Sequence, residues 1–180
     1  MSIRLTQIFG ATLLALPRPG PKDAPLGPSA DAVPHDLIEL LFFAYRDFVG
    51  DPDRILADYG FGRAHHRVLH FVQRRPGLTI AELLDILQIT KQSLNRVLKE
   101  LVEKGYIEQR TGRQDKRQRH LHTTATGQDL ALRLVRLQAK RINRALDSVG
   151  PEAAATAAQY LSALIDPAER PKVERLLGRP

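Results

Sequence analysis

Residues 78–124 carry a pattern that few folds can accommodate: two short helices, a strand, a basic turn and a second strand. The segment opens with a capping box, because the Thr79 hydroxyl can accept from the amide of Glu82, whose carboxylate can reach back to the amide of Thr79. Apolar residues at helical spacing then predict the first helix. They are Ile80, Leu83, Leu84 and Leu87. This order of elements predicts a winged helix-turn-helix.

The second helix of this segment is predicted to be amphipathic. Thr90 opens it, and Gly105 ends it where a left-handed cap needs no Cβ. Its apolar positions recur three and four residues apart: Leu94, Val97, Leu98 and Leu101. Its other face carries Lys91, Gln92, Asn95, Arg96 and Lys99. Long polar donors of this kind suit base edges and phosphates, so the pattern predicts DNA binding.

A basic turn joins the two predicted strands, residues 106–110 and 119–123, which alternate in polarity as strands do. Residues 110–119 hold five basic residues and one acid, whereas residues 31–61 hold seven acids and two arginines. With a net charge of +7, a basic patch beside an acidic body indicates an oriented contact with a polyanion. The alternative is a loop that is merely solvated. This alternative is less favoured, because the loop joins two strands directly after a helix with a polar face.

Several other classes of protein are disfavoured by composition. The chain has no cysteine, which excludes disulfides, thiolate metal sites and thiol switches within it. We find no phosphate-binding loop, nucleophile elbow or complete set of metal ligands, so no enzyme, cofactor or metal is expected. The apolar run at residues 3–16 is too short to span a membrane, and it meets prolines rather than a secretory cleavage site. We expect a cytoplasmic protein without a membrane partner.

The chain divides into five predicted parts. They are an apolar arm with a Pro/Gly-rich linker (1–33), a helical dimerisation or ligand region (34–62), the winged helix-turn-helix (63–125), long C-terminal dimerisation helices (126–166) and a tail (167–180). The fold class is therefore mainly α with a small β-wing, its DNA-binding core flanked by N- and C-terminal dimerisation helices. An intramolecular bundle in a monomer is the alternative to the dimer. The dimer is favoured because apolar helices at both ends of a small DNA-binding domain are best explained as a shared interface.

The flanking helices are predicted from apolar spacing. A helix over residues 34–49 is apolar around most of its circumference, which predicts burial on several sides. Asp51 and Pro52 predict the start of a new helix. The next helix, residues 63–74, is expected to bury Ala64, Val68, Leu69, Phe71 and Val72. Helices to about Val149 and over residues 152–165 follow the wing, and the tail has room for one more turn.

Residues 67–127 resemble the MarR family of winged-helix regulators. The matching motifs are Leu78-Thr79, the run from Thr90 to Arg96, the run from Leu101 to Ile107, Asp115-Lys116-Arg117, and the run from Thr124 to Gly127. The resemblance implies a homodimer on a pseudo-palindromic operator, with recognition helix 90–104 in the major groove and wing 111–118 in the minor groove. It further implies control of transcription, often repression relieved by a small-molecule effector. A non-specific architectural nucleic-acid binder and a winged-helix protein-interaction module remain the alternatives.

Carried over by position, the resemblance implies that Arg117 enters the minor groove and that Asp115 holds it, and with it Arg113, in place. Gln92, Asn95 and Arg96 are the predicted base readers, although Arg96 could instead pair with Glu100. Predicted phosphate contacts come from Lys91, Ser93 and Lys99. The complete set of expected DNA-binding residues is Lys91, Gln92, Ser93, Asn95, Arg96, Lys99, Arg113, Asp115, Lys116, Arg117 and Arg119.

Two further groups of residues have open interpretations. His66 and His70 have the spacing of a zinc chelate, but with His65 they are better interpreted as a partly exposed helix face. His120 and His122 are expected to face DNA or solvent. Six aromatic residues fit either an effector cavity or the core. They are Phe42, Phe43, Tyr45, Phe48, Tyr59 and Phe61. A regulator without any effector also fits the sequence.

Overall fold

The computed structural model describes residues 34–112 and 118–178. In chain order the elements are α1 (His35–Ala57), α2 (Arg63–Arg74), β1 (Leu78–Thr79), α3 (Ile80–Leu87), α4 (Lys91–Glu103), β2 (Ile107–Thr111), β3 (Arg119–Thr123), α5 (Ala125–Val149), α6 (Ala153–Leu164) and α7 (Arg170–Leu177). The three strands form an antiparallel sheet in the order β1-β3-β2. The predicted fold class, mainly α with a small β-wing, is confirmed. The predicted arm and linker, residues 1–33, lie outside the described residues.

The core lies between the helix-turn-helix and the helices beside it. Leucine and valine side chains from α2, α3, α4 and α5 meet there, and β2 and β3 close it with Ile107 and Leu121. The predicted stripes of both motif helices supply the centre of this core, since Leu83, Leu87, Leu94 and Leu101 are all at most 2% exposed. Burial of leucine side chains to this extent stabilises the fold by about 1.5–3 kcal/mol each.

The predicted break at Asp51 and Pro52 is wrong, because α1 continues through both residues to Ala57. A proline inside a helix removes one hydrogen bond and costs about 3 kcal/mol. Burial of Pro52 and an ion pair between Asp51 and Arg141 of α5, 2.8 Å long, offset this cost. These are tertiary contacts, which the local signal for a helix start does not include.

Burial of α1 on several sides is not found within the single chain. Its buried residues are Val49, Pro52 and Leu56, all in its second half. The first half of α1 is exposed, with Leu40 at 61% and Phe42 at 67%. Exposed apolar side chains that lie together in this way typically mark an interaction site.

Two smaller predictions, on α2 and on the tail, are also corrected, and one short strand was not predicted. Ala64 is exposed, and His66 is buried instead, because His66 shares the inward stripe with Leu69. The strand β1 was not predicted, since two residues are too few to show alternation. The tail forms α7, which is two turns long rather than one.

Candidate nucleic-acid interface

Helix α4 presents one face to the core and the other to solvent. Its buried residues are Leu94, Val97, Leu98 and Leu101. The predicted contact residues all lie on the exposed face: Lys91, Gln92, Ser93, Asn95, Arg96 and Lys99. The helix therefore holds its polar side chains outward on a rigid apolar base, which is the arrangement that insertion into a groove requires.

The N-terminus of α4 is fixed by the caps that the sequence predicts. The Thr90 hydroxyl accepts a hydrogen bond from the Ser93 amide at 3.2 Å and donates to the Ser93 hydroxyl at 2.9 Å. The capping box of α3 is also present, because Glu82 accepts from both the amide and the hydroxyl of Thr79 at 2.8 Å. Caps of this kind contribute about 1 kcal/mol each and fix where each helix begins.

Residues of the turn between α1 and α2 and of the first turn of α2 contact the C-terminal part of α4. His65 Nδ1 accepts from the Gly62 amide, so its Nε2–H donates to Glu100 Oε2 at 2.9 Å. This contact engages the acid that was the alternative partner of Arg96, and no ion pair between Arg96 and Glu100 is present. Lys104 Nζ donates to the Tyr59 carbonyl at 2.8 Å and lies 4.6 Å from the centre of the Phe61 ring.

The exit of α4 is tied to the start of α5. Gly105 has the predicted left-handed conformation, with φ of 74°. The Thr124 hydroxyl donates to the Gly105 carbonyl at 2.6 Å and accepts from the Gly127 amide at 3.1 Å. The two ends of the wing therefore meet the core at the same place, next to the end of α4. The orientation of the wing consequently depends on that of α4.

The wing is an antiparallel hairpin of β2 and β3, with Ile107 opposite Thr123 and Thr111 opposite Arg119. The Gly112 amide donates to the Gln118 carbonyl at 3.0 Å and extends the pairing by one step. Arg119 is exposed, and its guanidinium donates to the Thr111 hydroxyl. Four predicted wing contacts, Arg113, Asp115, Lys116 and Arg117, lie outside the described residues.

The histidines are more buried than the sequence indicates. His120 is half-buried, with Nδ1 2.8 Å from the Gly77 carbonyl, and His122 is also half-buried, so neither side chain is fully open to solvent. His66 is 9% exposed, so α2 does not carry three histidines on a partly exposed face. Across residues 34–112 and 118–178, no three histidine, aspartate or glutamate side chains are grouped so as to hold a metal ion.

A cavity of about 270 Å³ lies between α1, α2 and α5, and we refer to it as the α1–α2–α5 cleft. Its walls are Tyr45, Phe48, Val49, Arg63, His66, Arg67, His70, Phe71 and Gln138. Of the six aromatic candidates, only Tyr45 and Phe48 line it. Tyr59 and Phe61 pack with Tyr106 instead, and Phe42 and Phe43 are exposed.

The two arginines of this cleft have different partners. Arg63 donates to Asp53 Oδ2 at 2.8 Å, whereas Arg67 donates to a main-chain carbonyl, that of Leu87, at 2.8 Å. Burial lowers the pKa of His66 and of His70 below the ordinary value of 6.5, which favours the neutral form of both imidazoles. The sequence did not identify the polar residues of the cleft. Spacing along α2 does not show which of its faces α1 and α5 cover.

Comparison with known sequences gives a match to a family model and to a curated protein. The model of the MarR family matches residues 59–118. The curated HTH-type transcriptional regulator PetP of Rhodobacter capsulatus is 52% identical over 133 residues, which are 74% of this chain and 80% of PetP.

Solved structures show the same fold at low identity. Streptococcus pneumoniae FabT in complex with DNA has a TM-score of 0.65 and 21% identity, over 72% of this chain and 93% of FabT. A crystal structure of MarR has a TM-score of 0.60 and 20% identity, over 82% of this chain and 99% of MarR. Within the described part of the chain, the helices are too short or too polar for any to cross a membrane.

Proposed function

This chain belongs to the MarR family of helix-turn-helix transcriptional regulators, and from that premise we propose that it represses transcription as a homodimer bound to a pseudo-palindromic operator. The observation that carries the proposal is the outward polar face of α4 over its buried apolar face. In the proposed complex, recognition helix 90–104 enters the major groove and wing 111–118 enters the minor groove.

Roles within the interface follow from side-chain chemistry. We assign base reading to Gln92, Asn95 and Arg96, because amides pair with adenine and guanidinium pairs with guanine. Exposure supports all three assignments, and the contact of Glu100 with His65 supports a base contact for Arg96.

Phosphate contacts are assigned to the flanking residues Lys91, Ser93 and Lys99. The Ser93 hydroxyl accepts from Thr90, which leaves its own proton for a phosphate oxygen. Lys99 forms only a 3.7 Å exposed pair with Glu103, which contributes little and is easily exchanged for phosphate. Wing contacts are assigned to Arg113, Asp115, Lys116, Arg117 and Arg119.

Dimerisation through the flanking helices is supported by exposed apolar side chains. A groove of about 780 Å³ lies between the start of α1 and the junction of α5 with α6, and Leu37, Val149 and Tyr160 line it. These three residues are 44%, 77% and 46% exposed in the single chain. A second copy of α1 and α6 would cover them by a two-fold contact, in which each surface meets its own equivalent.

Relief of repression is assigned to a small-molecule effector in the α1–α2–α5 cleft. Helix α2 lines the cleft and also packs against α4, so a ligand in the cleft would contact an element that supports the recognition helix. The walls of the cleft combine aromatic side chains with polar ones that could orient a ligand, as the walls of small-molecule sites do.

Binding of the purified protein to fragments of its own upstream region, against scrambled duplex across a salt series, tests the proposal. We expect a steep salt dependence and an operator preference above roughly a thousand-fold. A steep slope without preference would instead favour an architectural binder. No binding at low salt would favour a protein-interaction module.

A further inference from the structure

We propose that α7 connects the dimerisation helices to the helix-turn-helix through two side chains, Arg170 and Lys172, and that these two residues determine which spacing of operator half-sites the dimer accepts. The inference rests on the proposed function, because half-site spacing matters only if two copies of the chain bind one duplex. It assigns a role in specificity to residues that lie outside both α4 and the wing.

Lys172 joins α7 to the end of α3. Its Nζ donates to the main-chain carbonyl of Asp85 and to the Oδ1 of the same residue, both at 3.1 Å. The Glu169 carboxylate lies 2.6 Å from the same Nζ. Hydrogen bonds to Glu169 and to Asp85 raise the pKa of Lys172, so its ammonium group stays charged. The side chain is only 22% exposed, and it is therefore held between the two helices.

This contact supplies what α3 lacks in its own sequence. Main-chain carbonyls in the last turn of a helix have no partner within the helix, and they favour a nearby cation. Asp85 lies in the last turn of α3, and that turn carries no basic residue of its own. Only residues 88–90 separate α3 from α4. Lys172 therefore fixes the end of α3 directly before the chain turns into the recognition helix.

Arg170 joins α7 to the end of α6. Its guanidinium donates to the carbonyls of Ser162, Ala163 and Ile165, each at 3.2 Å. Ser162 and Ala163 lie in the last turn of α6, where the carbonyls again lack partners within the helix. A guanidinium presents five N–H donors in one rigid plane, so a single side chain can bind all three carbonyls. Arg170 therefore fixes the start of α7 on the end of α6.

The connection through α7 limits how the helix-turn-helix rotates relative to the dimerisation helices. In the proposed dimer, α6 lies at the contact between the two chains and α4 lies in the major groove. One base pair added between the half-sites moves them apart by about 3.4 Å and rotates one relative to the other by about 35°, since a turn of duplex is about 34–36 Å and about 10–10.5 base pairs long. Two helix-turn-helix units that are each held by α7 cannot follow this change, so the dimer selects one spacing.

Competition binding of the full chain to its operator, and to the same operator with one base pair added at its centre, tests the proposal. We expect the added base pair to weaken binding of the wild type at least about ten-fold. In Lys172→Met the same change should weaken binding only about two-fold. A surface ion pair is worth up to about five-fold in an equilibrium, and the dimer contains the contact twice. A duplex with a single half-site should bind the wild type and Lys172→Met equally.

Three further variants separate the connection from a general structural effect. Arg170→Met breaks the other end of α7 and should relax the spacing preference as Lys172→Met does. The double variant should relax it no further, because either substitution alone already breaks the connection. Lys172→Arg keeps the charge and should keep the wild-type preference within about two-fold. Lys140→Met removes an exposed lysine of α5 and should behave like the wild type.

Distances between the two copies of α3 test the connection without any operator. The chain has no cysteine, so a spin label attached through Ala81→Cys reports on α3 alone. Ala81 is exposed, and the contact of Lys172 is with Asp85, one turn further along α3. In the free dimer we expect a narrow distribution of distances between the two labels. Lys172→Met and Arg170→Met should each broaden this distribution, whereas Lys140→Met should not.

The outcomes distinguish this inference from the proposed function. A wild type without operator preference overturns the proposed function, and the spin-label distances then decide on the connection through α7. A wild type that prefers its operator but tolerates the added base pair overturns the inference alone. The same holds if Lys172→Met keeps the wild-type spacing preference. Equal weakening of Lys172→Met on every duplex, the single half-site included, would identify Lys172 as a DNA contact and also overturn the inference.

Discussion

Gly127 of α5 lies so close to the main chain of Tyr106 that a Cβ at residue 127 would be 1.9 Å from the Tyr106 carbonyl oxygen. The same oxygen accepts a hydrogen bond from the Thr124 amide at 3.1 Å. The segment that leaves the recognition helix and the first turn of the long helix α5 therefore meet at a main-chain contact that admits no side chain.

Gly127→Ala should destabilise the protein, because neither the Tyr106 carbonyl nor the helix backbone can move away cheaply. We expect the free energy of unfolding to fall by at least roughly 1–3 kcal/mol, the usual cost of overpacking. Urea unfolding measures this. Thr126→Ala, an exposed position on the same turn, is the matched control and should change stability by less than about 0.5 kcal/mol. Equal stability of the two variants would contradict the close contact.

Asn95→Ala and Gln92→Ala should relax sequence preference. Each lost base contact is expected to cost about 1–3 kcal/mol on the operator and little on random duplex. Lys99→Ala is the control, since loss of a phosphate contact should weaken binding to both duplexes alike. Competition binding with single base-pair operator variants measures the preference. A uniform loss in Asn95→Ala and Gln92→Ala would identify these residues as phosphate contacts.

Arg117→Ala tests the wing, whose tip lies outside the described residues. We expect weaker operator binding. The slope of the logarithm of the binding constant against the logarithm of the salt concentration should become less steep by about one, because one cation has been removed from the interface. Arg136→Ala removes an exposed arginine from α5 and should leave binding unchanged. Unaltered operator affinity in Arg117→Ala would mean that the wing does not contact DNA.

Phe42→Asp or Leu40→Asp should convert the proposed dimer to a monomer. Both side chains are exposed in the single chain, so a charge there leaves the fold of each chain intact while opposing burial at an interface. Light scattering after size exclusion measures the mass. Ala81→Asp places the same charge on exposed α3 and should remain dimeric. A wild type with the mass of one chain would refute the dimer outright.

Acidification should destabilise the fold through His66 and His70. Burial lowers the pKa of each imidazole below its ordinary value of 6.5; for His66 the charge of His70 adds to the shift and Asp53 of α1 opposes it. Arg74 and Arg75 add to the shift of His70. In the window below pH 6.5 the unfolded chain binds protons that the folded chain does not. The free energy of unfolding therefore has its full value above pH 6.5, and it falls as the pH drops through the pKa of the imidazoles in the folded protein.

The melting temperature between pH 7.5 and 5.5 measures this loss. The double variant His66→Gln, His70→Gln should lose less stability over that range than the wild type. His35→Gln removes an exposed histidine and should behave like the wild type. An identical decline in the wild type and the double variant would show that other groups set the pH dependence.

Local signals along the chain predicted the elements that carry the candidate interface. The capping box of Thr79 and Glu82, the cap at Thr90 and the left-handed Gly105 are all found where the sequence places them. Each of these features depends on residues at most four positions apart, so a local sequence pattern is enough to predict it. The outward face of α4 was predictable for the same reason, because helical periodicity alone separates it from the buried face.

The sequence by itself determined the winged helix-turn-helix and the polar face of its second helix. Tertiary structure decided the passage of α1 through Pro52, the burial of His66 and the contact of Arg67 with Leu87, twenty residues away. In each case the outcome depends on which distant element packs against the residue: α5 against Asp51, α1 over His66, the end of α3 beside Arg67. The free energy of those contacts exceeds the weak local preferences, and spacing along one helix carries no record of them.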